Sequence, residues 1–272
     1  MLAPASVLLA FFFFTVATML RYSFAPHLGP VMIGEGVTLA NYERFLGSSL
    51  YVSYLTRSLW IATYCTAITI VLGYAIAYFM YRSGPVVKLI VGTILIVQFF
   101  TAYVIRTYAV MLVIGRTGIL NQTLMGLGII DQPLRLLFTE TGVAIGMVLI
   151  SLPFMVFPVL ASLQAIPPNL EIAAKSLGAR NMRVFWDIIF PLTMPGIAAG
   201  VVIVYLFELT SYIVPGILGG GYVDMVANLI YSKAMSSFDY PLASAIAMVM
   251  LVVSGLAIYL LQKGFRLLTP RV

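Results

Sequence analysis

Long apolar stretches alternate with short polar ones along this chain, and charged residues mark the borders. Arg57 and Arg82 bracket 24 uncharged residues, Glu140 and Glu171 bracket 30, Asp187 and Glu208 bracket 20, and Asp239 and Lys263 bracket 23. Residues 1–20 carry no charge, and 89–114 are interrupted only by Arg106. About 20 apolar residues cross a bilayer as a helix, so six spans are expected near 4–22, 58–81, 89–113, 141–163, 193–215 and 241–262. These runs lack the period-two alternation of a membrane barrel, and a lipid-exposed backbone must satisfy its own hydrogen bonds, so helices are expected. The fold class read from this pattern is all-α: a polytopic membrane protein with six transmembrane helices.

Composition points the same way. Hydrophobic residues make up 62% of the 272 and charged residues 9%, with a mean hydropathy of +1.06, whereas a soluble domain carries roughly 25% charged residues. The net charge of +6 therefore reads as membrane topology and not as nucleic-acid binding. Cys65 and His27 are each the only residue of their kind. A disulfide framework, a thiolate metal site and a Ser–His triad have almost nothing to be built from. Neither HExxH nor GxSxG occurs, and no GxxxxGK[ST] is present to cradle phosphates.

Six spans put both termini on one side. The connections at 82–88 and 164–187 and the tail 263–272 hold Arg82, Lys88, Lys175, Arg180, Arg183, Lys263, Arg266 and Arg271. The longer opposite connections hold Arg21, Arg44, Arg57, Arg116, Arg135 and Lys233, so basic density favours the first set as cytoplasmic. Residues 1–20 lack the basic n-region of a secretory signal and run longer than a typical h-region, so an uncleaved first span is expected. No internal repeat, direct or inverted, stands out of the kind many secondary transporters carry.

One polar segment is set between apolar runs: residues 163–196 read LQAIPPNLEIAAKSLGARNMRVFWDIIFPLTMPG. Pro167 and Pro168 break the preceding span, because proline lacks the N–H that helix continuation needs. Asn169 is the expected N-cap, and Glu171 places a negative charge in the positive first turn of a new helix. Ala173 and Ala174 favour helix and leave a flat face for close approach. Gly178 suits a left-handed residue that ends the helix. Arg180 and Arg183 then begin a second short amphipathic helix through Val184, Phe185 and Ile188, expected to stop at Pro191. The plain alternative is a basic connector that only anchors two spans at the lipid surface.

The order Glu171, Ala173, Ala174, then Gly178, then Ile188 or Ile189 and Pro191 resembles the EAA loop of permease subunits in binding-protein-dependent ABC importers. Other stretches are similar to the branch that includes spermidine/putrescine importers and relatives handling opines and aminophosphonates. These are TLANYERF (38–45), VIRTYAV (104–110), GRTGILNQTLMGLG (115–128), LTSYIVPGILGGG (209–221) and FDYPLASAIAMVML (238–251). The resemblance implies a type I importer permease fold, with 1–272 a single transmembrane permease domain and a cytoplasmic coupling loop at 167–189. It implies ATPase-coupling roles for Glu171, Ala173, Ala174, Gly178, Arg180 and Pro191. The expected partners are two ATP-binding subunits, a second permease subunit (commonly a different gene product in this branch) and a periplasmic or lipid-anchored solute-binding protein. ATP and Mg would then be held by the partner ATPase and no cofactor by this chain, which would sit in a bacterial inner membrane and not be an enzyme. The competing class is a secondary transporter or channel not coupled to an ATPase.

Candidates for a solute path are the polar residues inside spans, since a charge at mid-membrane costs about 2.5–3.5 kcal/mol and usually faces a cavity or a partner. Glu208 lies in LFELTSY with Thr210 and Tyr212 close by, where family members more often carry a small residue. Arg106 is the other intramembrane charge, read either as solute contact or as packing near the outer face. An ion pair of Glu208 with Arg106, or with the other permease subunit, is the alternative to a pathway role. With Asp224 and Asp239 near the outer mouth, Glu208 leans the solute toward a polyamine or a related amine or amino-acid derivative. Gly142-x-x-x-Gly146 and Gly196-x-x-x-Gly200 read as close helix packing, and Gly219–Gly221 as a flexible gate or turn.

Overall fold

The computed structural model describes residues 3–268. The first elements are α1 (Ala3–Ser23), a hairpin of β1 (His27–Gly29) and β2 (Met32–Ile33), α2 (Ala40–Leu46), α3 (Ser49–Arg82), α4 (Pro85–Phe100), α5 (Tyr103–Ile114) and α6 (Ile119–Gly126). There follow α7 (Glu140–Gln164), α8 (Pro168–Ser176), α9 (Asn181–Val184), α10 (Phe190–Leu209), α11 (Ile213–Gly219), α12 (Val226–Tyr231) and α13 (Tyr240–Leu268). Among the described residues, six helical stretches are long and apolar enough to cross a membrane: Ser6–Ser23, Ser49–Arg82, Tyr103–Gly126, Glu140–Gln164, Asn181–Leu209 and Tyr240–Phe265. The basic residue Arg271, counted above toward the cytoplasmic side, lies outside the described residues.

The expected spans need correction in three places. The single helix expected over 89–113 is broken into α4 and α5, because Thr101 and Ala102 are both extended, with ψ of 136°. Val97 O accepts both the Thr101 N–H at 3.0 Å and the Thr101 hydroxyl at 2.6 Å, so a side chain closes the helix without proline or glycine. Thr210 does the same to the expected 193–215 span: its N–H and hydroxyl reach Leu206 O at 3.0 and 2.8 Å, and α10 ends at Leu209. Pro191, expected to stop a helix, does not. A π-turn at Phe185–Ile189 precedes it, in which Phe190 N–H bonds Phe185 O. This wider turn accommodates the pyrrolidine ring and its missing donor, so α9 runs on into α10.

The chain forms two compact units, Met1–Leu59 with Asp224–Leu256, and Trp60–Val223 with Ala257–Val272. In the first, the Asn41 amide donates to Ser23 O and Ala25 O at 3.0 and 2.8 Å, and Ser58 Oγ receives the Val226 N–H at 2.8 Å. The hairpin joins the start of α13 through Val31 N–H to Phe238 O. The core of the second unit is Met155, Val156, Val159 and Leu163 of α7 against Ile197, Val201 and Val204 of α10, with Ala77 of α3. Glycines set that spacing. An added Cβ at Gly200 would stand 2.7 Å from Met155 Sδ, and one at Gly196 2.5 Å from Pro158 O, so α7 and α10 meet backbone to backbone. In a membrane, close packing of this kind holds helices together where hydrophobicity cannot.

Contacts fix the helix directions in this unit. Thr69 meets Ser151 and Gly73 meets Met155, so α3 and α7 run parallel. Glu208 meets Ser151 while Gly196 meets Ser162, so α10 runs antiparallel to both. The C-terminal ends of α3 and α7 and the start of α10 therefore share one end of the unit.

Candidate functional site

At that end lies the polar segment. The helix α8 begins at Pro168 with Pro167 as its N-cap residue, so Asn169 is inside the first turn and does not cap. Proline at the first helical position loses no bond and brings the helical φ ready-made. Gly178 has φ +82° and closes the helix as expected. Its N–H bonds Lys175 O and the Ala179 N–H bonds Ala174 O, both at 3.0 Å, the paired bonds of a Schellman motif.

Glu171 is buried, and its carboxylate turns back onto the end of α3. Arg82 Nη1 donates to Glu171 Oε2 at 2.9 Å and the Tyr81 hydroxyl to Oε1 at 3.3 Å. The Arg82 guanidinium also donates to the Tyr78 hydroxyl at 3.1 Å and lies over the Tyr78 and Tyr81 rings. In the sequence Arg82 marks the end of an apolar run and belongs to the basic residues assigned to the cytoplasmic side. The signal was present in the clustering of Tyr78, Tyr81 and Arg82 on adjacent helical turns, but it names no partner 89 residues away.

Of the other loop residues, Ala174 packs against the core from α8, while Ala173 is exposed. Arg180 is exposed as the N-cap residue of α9, and Pro191 sits in the first turn of α10. Outward from the loop project Leu177 (89% exposed), Met182 (69%), Ile172 (65%) and Trp186 (55%). Between α8 and α9 opens a cleft of about 250 Å³ lined by Ala174, Gly178, Arg183 and Ile188.

In the membrane interior Glu208 is held by hydroxyl groups. Glu208 has 0% of its surface exposed in this chain. Thr66 Oγ1 donates to Glu208 Oε2 at 2.8 Å and Ser151 Oγ to Oε1 at 2.9 Å, with Thr69 Oγ1 3.2 Å from Ser151 Oγ. The carboxylate thus ties α3, α7 and α10 together through hydroxyls. No Arg106–Glu208 ion pair forms: Arg106 lies over the Tyr103 ring, 5.6 Å from its centroid, and reaches Ile150 O at 3.5 Å. Thr210 and Tyr212 are exposed at the end of α10.

Asp239 changes meaning as well. It pairs with Arg44 at 3.2 Å, lies 3.3 Å from His27 Nδ1, and accepts the Leu242 N–H at the start of α13. That buried carboxylate is engaged by contacts within this chain. Asp224 is partly buried, and desolvation raises its carboxyl above the usual range while Arg57 opposes the shift. Among the described residues no group of three His, Cys, Asp or Glu side chains could hold a metal ion.

Among the described residues, six membrane-length helices and a two-helix loop braced against α3 fit a polytopic membrane permease. The chain belongs to the family described as binding-protein-dependent transport system inner membrane component, whose pattern matches residues 69–272. The spermidine/putrescine transport system permease protein PotB of Escherichia coli K12 is 37% identical over 235 residues, covering 86% of this chain and 85% of that protein. Its namesake in Haemophilus influenzae is 33% identical over 253 residues, covering 93% and 88%. A bacterial alginate ABC transporter, crystallised with an alginate-bound periplasmic protein, shares the fold at TM-score 0.80 and 18% identity over 99% of this chain and 93% of that one. The protein is thus a multi-pass inner-membrane permease of an ABC importer and not an enzyme, and the uncoupled transporter or channel is not favoured.

Proposed function

We propose that this chain imports a small cationic amine, a polyamine or a related amine or amino-acid derivative, as one of two permease subunits. Two ATPase subunits that bind ATP and Mg drive it through the loop at 167–189, and a periplasmic or lipid-anchored binding protein delivers the solute. The second permease is a different gene product, and both termini are cytoplasmic. The amine rests on the relatives, which are spermidine/putrescine permeases by name. Glu208, Thr210, Tyr212 and Arg106 remain proposed contributors to the path, with Glu208 reachable only if α3, α7 and α10 separate.

The observation that carries the coupling role is the loop's exposed apolar face, led by Leu177 and Met182, around a cleft with Arg183 on its rim. Apolar side chains projecting together from a basic loop suit a protein partner better than water. The same loop is attached to three spans. It follows α7 directly, through α9 and the π-turn it continues into α10, and through Glu171 and Arg82 it holds α3. A push on α8 therefore reaches all three, as alternating access requires.

The test uses single cysteines on a Cys65→Ser background. Leu177→Cys should crosslink to a co-purifying ATPase. Pro85→Cys should be shielded from an impermeant thiol reagent in intact cells while Met125→Cys labels. Labelling at 85 with none at 125 would place the loop on the wrong side for an ATPase and end the coupling reading.

A further inference from the structure

At the opposite end of the second unit, α3 and α7 flank a groove of about 570 Å³. Its α3 wall is Trp60, Tyr64, Ile68 and Leu72, a spacing of four that keeps all of them on one helix face. The α7 wall starts with Glu140 and Thr141 and continues through Ala144 and Val148. The volume falls in the usual range for small-molecule sites, about 300–1,000 Å³.

The two ends of the groove differ chemically. Trp60 is 64% exposed, and its ring centroid stands 5.8 Å from that of Tyr64 with the planes tilted by 58°. Glu140, also exposed, shares this end in the first turn of α7, where the Thr139 hydroxyl accepts the Gly142 N–H and fixes the helix start. Ring faces and a carboxylate both attract a cation and both repel an anion. Beyond them, Ile68, Leu72 and Val148 offer only hydrocarbon. Trp60 to Leu72 spans roughly 18 Å of helix, enough for an aliphatic chain laid along the groove.

We propose that this groove binds one end of the solute, with a terminal ammonium group held by Trp60, Tyr64 and Glu140, the adjoining methylene segment against Ile68, and the other charged nitrogens left outside the hydrocarbon part of the groove. The inference rests on the amine reading above and names the site for it. The mouth lies far from the loop at 167–189: Trp60 stands roughly 33 Å from Arg82 along α3. An incoming amine would meet it first, before the helices around Glu208 have to part. An ethanolamine lipid carries the same ammonium chemistry, but the site is assigned to the soluble amine.

The experiment uses the complete complex in phosphatidylglycerol vesicles, whose headgroups carry no ammonium, with spermidine as probe. Thr141→Cys on the Cys65→Ser background reports the groove directly. Spermidine at about four times its Kd should slow alkylation roughly fivefold, by simple occupancy. In uptake, Trp60→Leu and Glu140→Gln should each raise KM by roughly tenfold, the scale of one lost cation contact, and Trp60→Phe should recover most of the loss. Slowed alkylation with raised KM supports the site. Spermidine uptake by the parent complex with no slowing and unchanged KM overturns the site alone, as does slowing by added phosphatidylethanolamine but not by spermidine. A parent complex that takes up no amine overturns the amine reading itself, and this site with it.

Discussion

Neutralising either partner of the Glu171–Arg82 contact should uncouple ATP hydrolysis from solute. The Glu171 side chain is 10% exposed and the Arg82 side chain 41%, with 2.9 Å between Nη1 and Oε2. A fully exposed pair contributes about 0–1 kcal/mol and removal of one partner from a buried pair costs about 3–5 kcal/mol. With one buried member and one solvent-screened, and with the Tyr81 hydroxyl as a second donor, a cost of about 1–3 kcal/mol is expected. If that energy holds α8 against α3, the seated loop loses population by about 5- to 150-fold, since 1.4 kcal/mol is tenfold. The assay is ATP hydrolysis by the reconstituted complex with and without loaded binding protein, for Glu171→Gln, Arg82→Gln and the double variant. Each single variant should lose most of the stimulated increment. The double variant should be no worse than the poorer single one, because the second change removes a partner already lost. Stimulation within twofold of the parent in both single variants, or strict additivity in the double, would refute the idea that this contact transmits force.

Gly178→Ala should weaken stimulated hydrolysis by a few fold, since φ +82° strains a Cβ by about 1 kcal/mol while no atom within 4 Å would collide with it. Gly178→Pro forbids that φ and deletes the bond to Lys175 O, so it should abolish stimulation with membrane insertion intact. Parent-like stimulation in the proline variant would exclude the turn from coupling. Glu208→Gln should assemble normally, because the Thr66 and Ser151 hydroxyls can rotate to accept as well as donate. Glu208→Leu should lower stability by about 1–3 kcal/mol by leaving both hydroxyls unpaired, read as the thermal midpoint of purified complex. Unchanged spermidine uptake by Glu208→Gln would remove Glu208 from the solute path.

Charge placement and run length, without any tertiary information, determined the all-α class and six membrane-length stretches, because the bilayer imposes a length and excludes charge whatever the neighbours are. Local backbone chemistry determined the turn after α8 in the same way: Gly178 is glycine where φ is +82°. Helix ends were less legible. Thr101 and Thr210 end helices through hydroxyls that could equally have stayed inside them, and Pro191 is carried by a π-turn whose register depends on how Phe185 and Ile189 pack. The partners of the buried charges were decided only by the fold. Glu171 finds Arg82 across 89 residues, Glu208 finds Thr66 and Ser151 instead of Arg106, and Asp239 finds Arg44 across 195. A sequence records that an intramembrane carboxylate needs a donor. Which donor it gets depends on the distances between packed helices, and here those are set by glycines such as Gly196 and Gly200, where α7 and α10 touch.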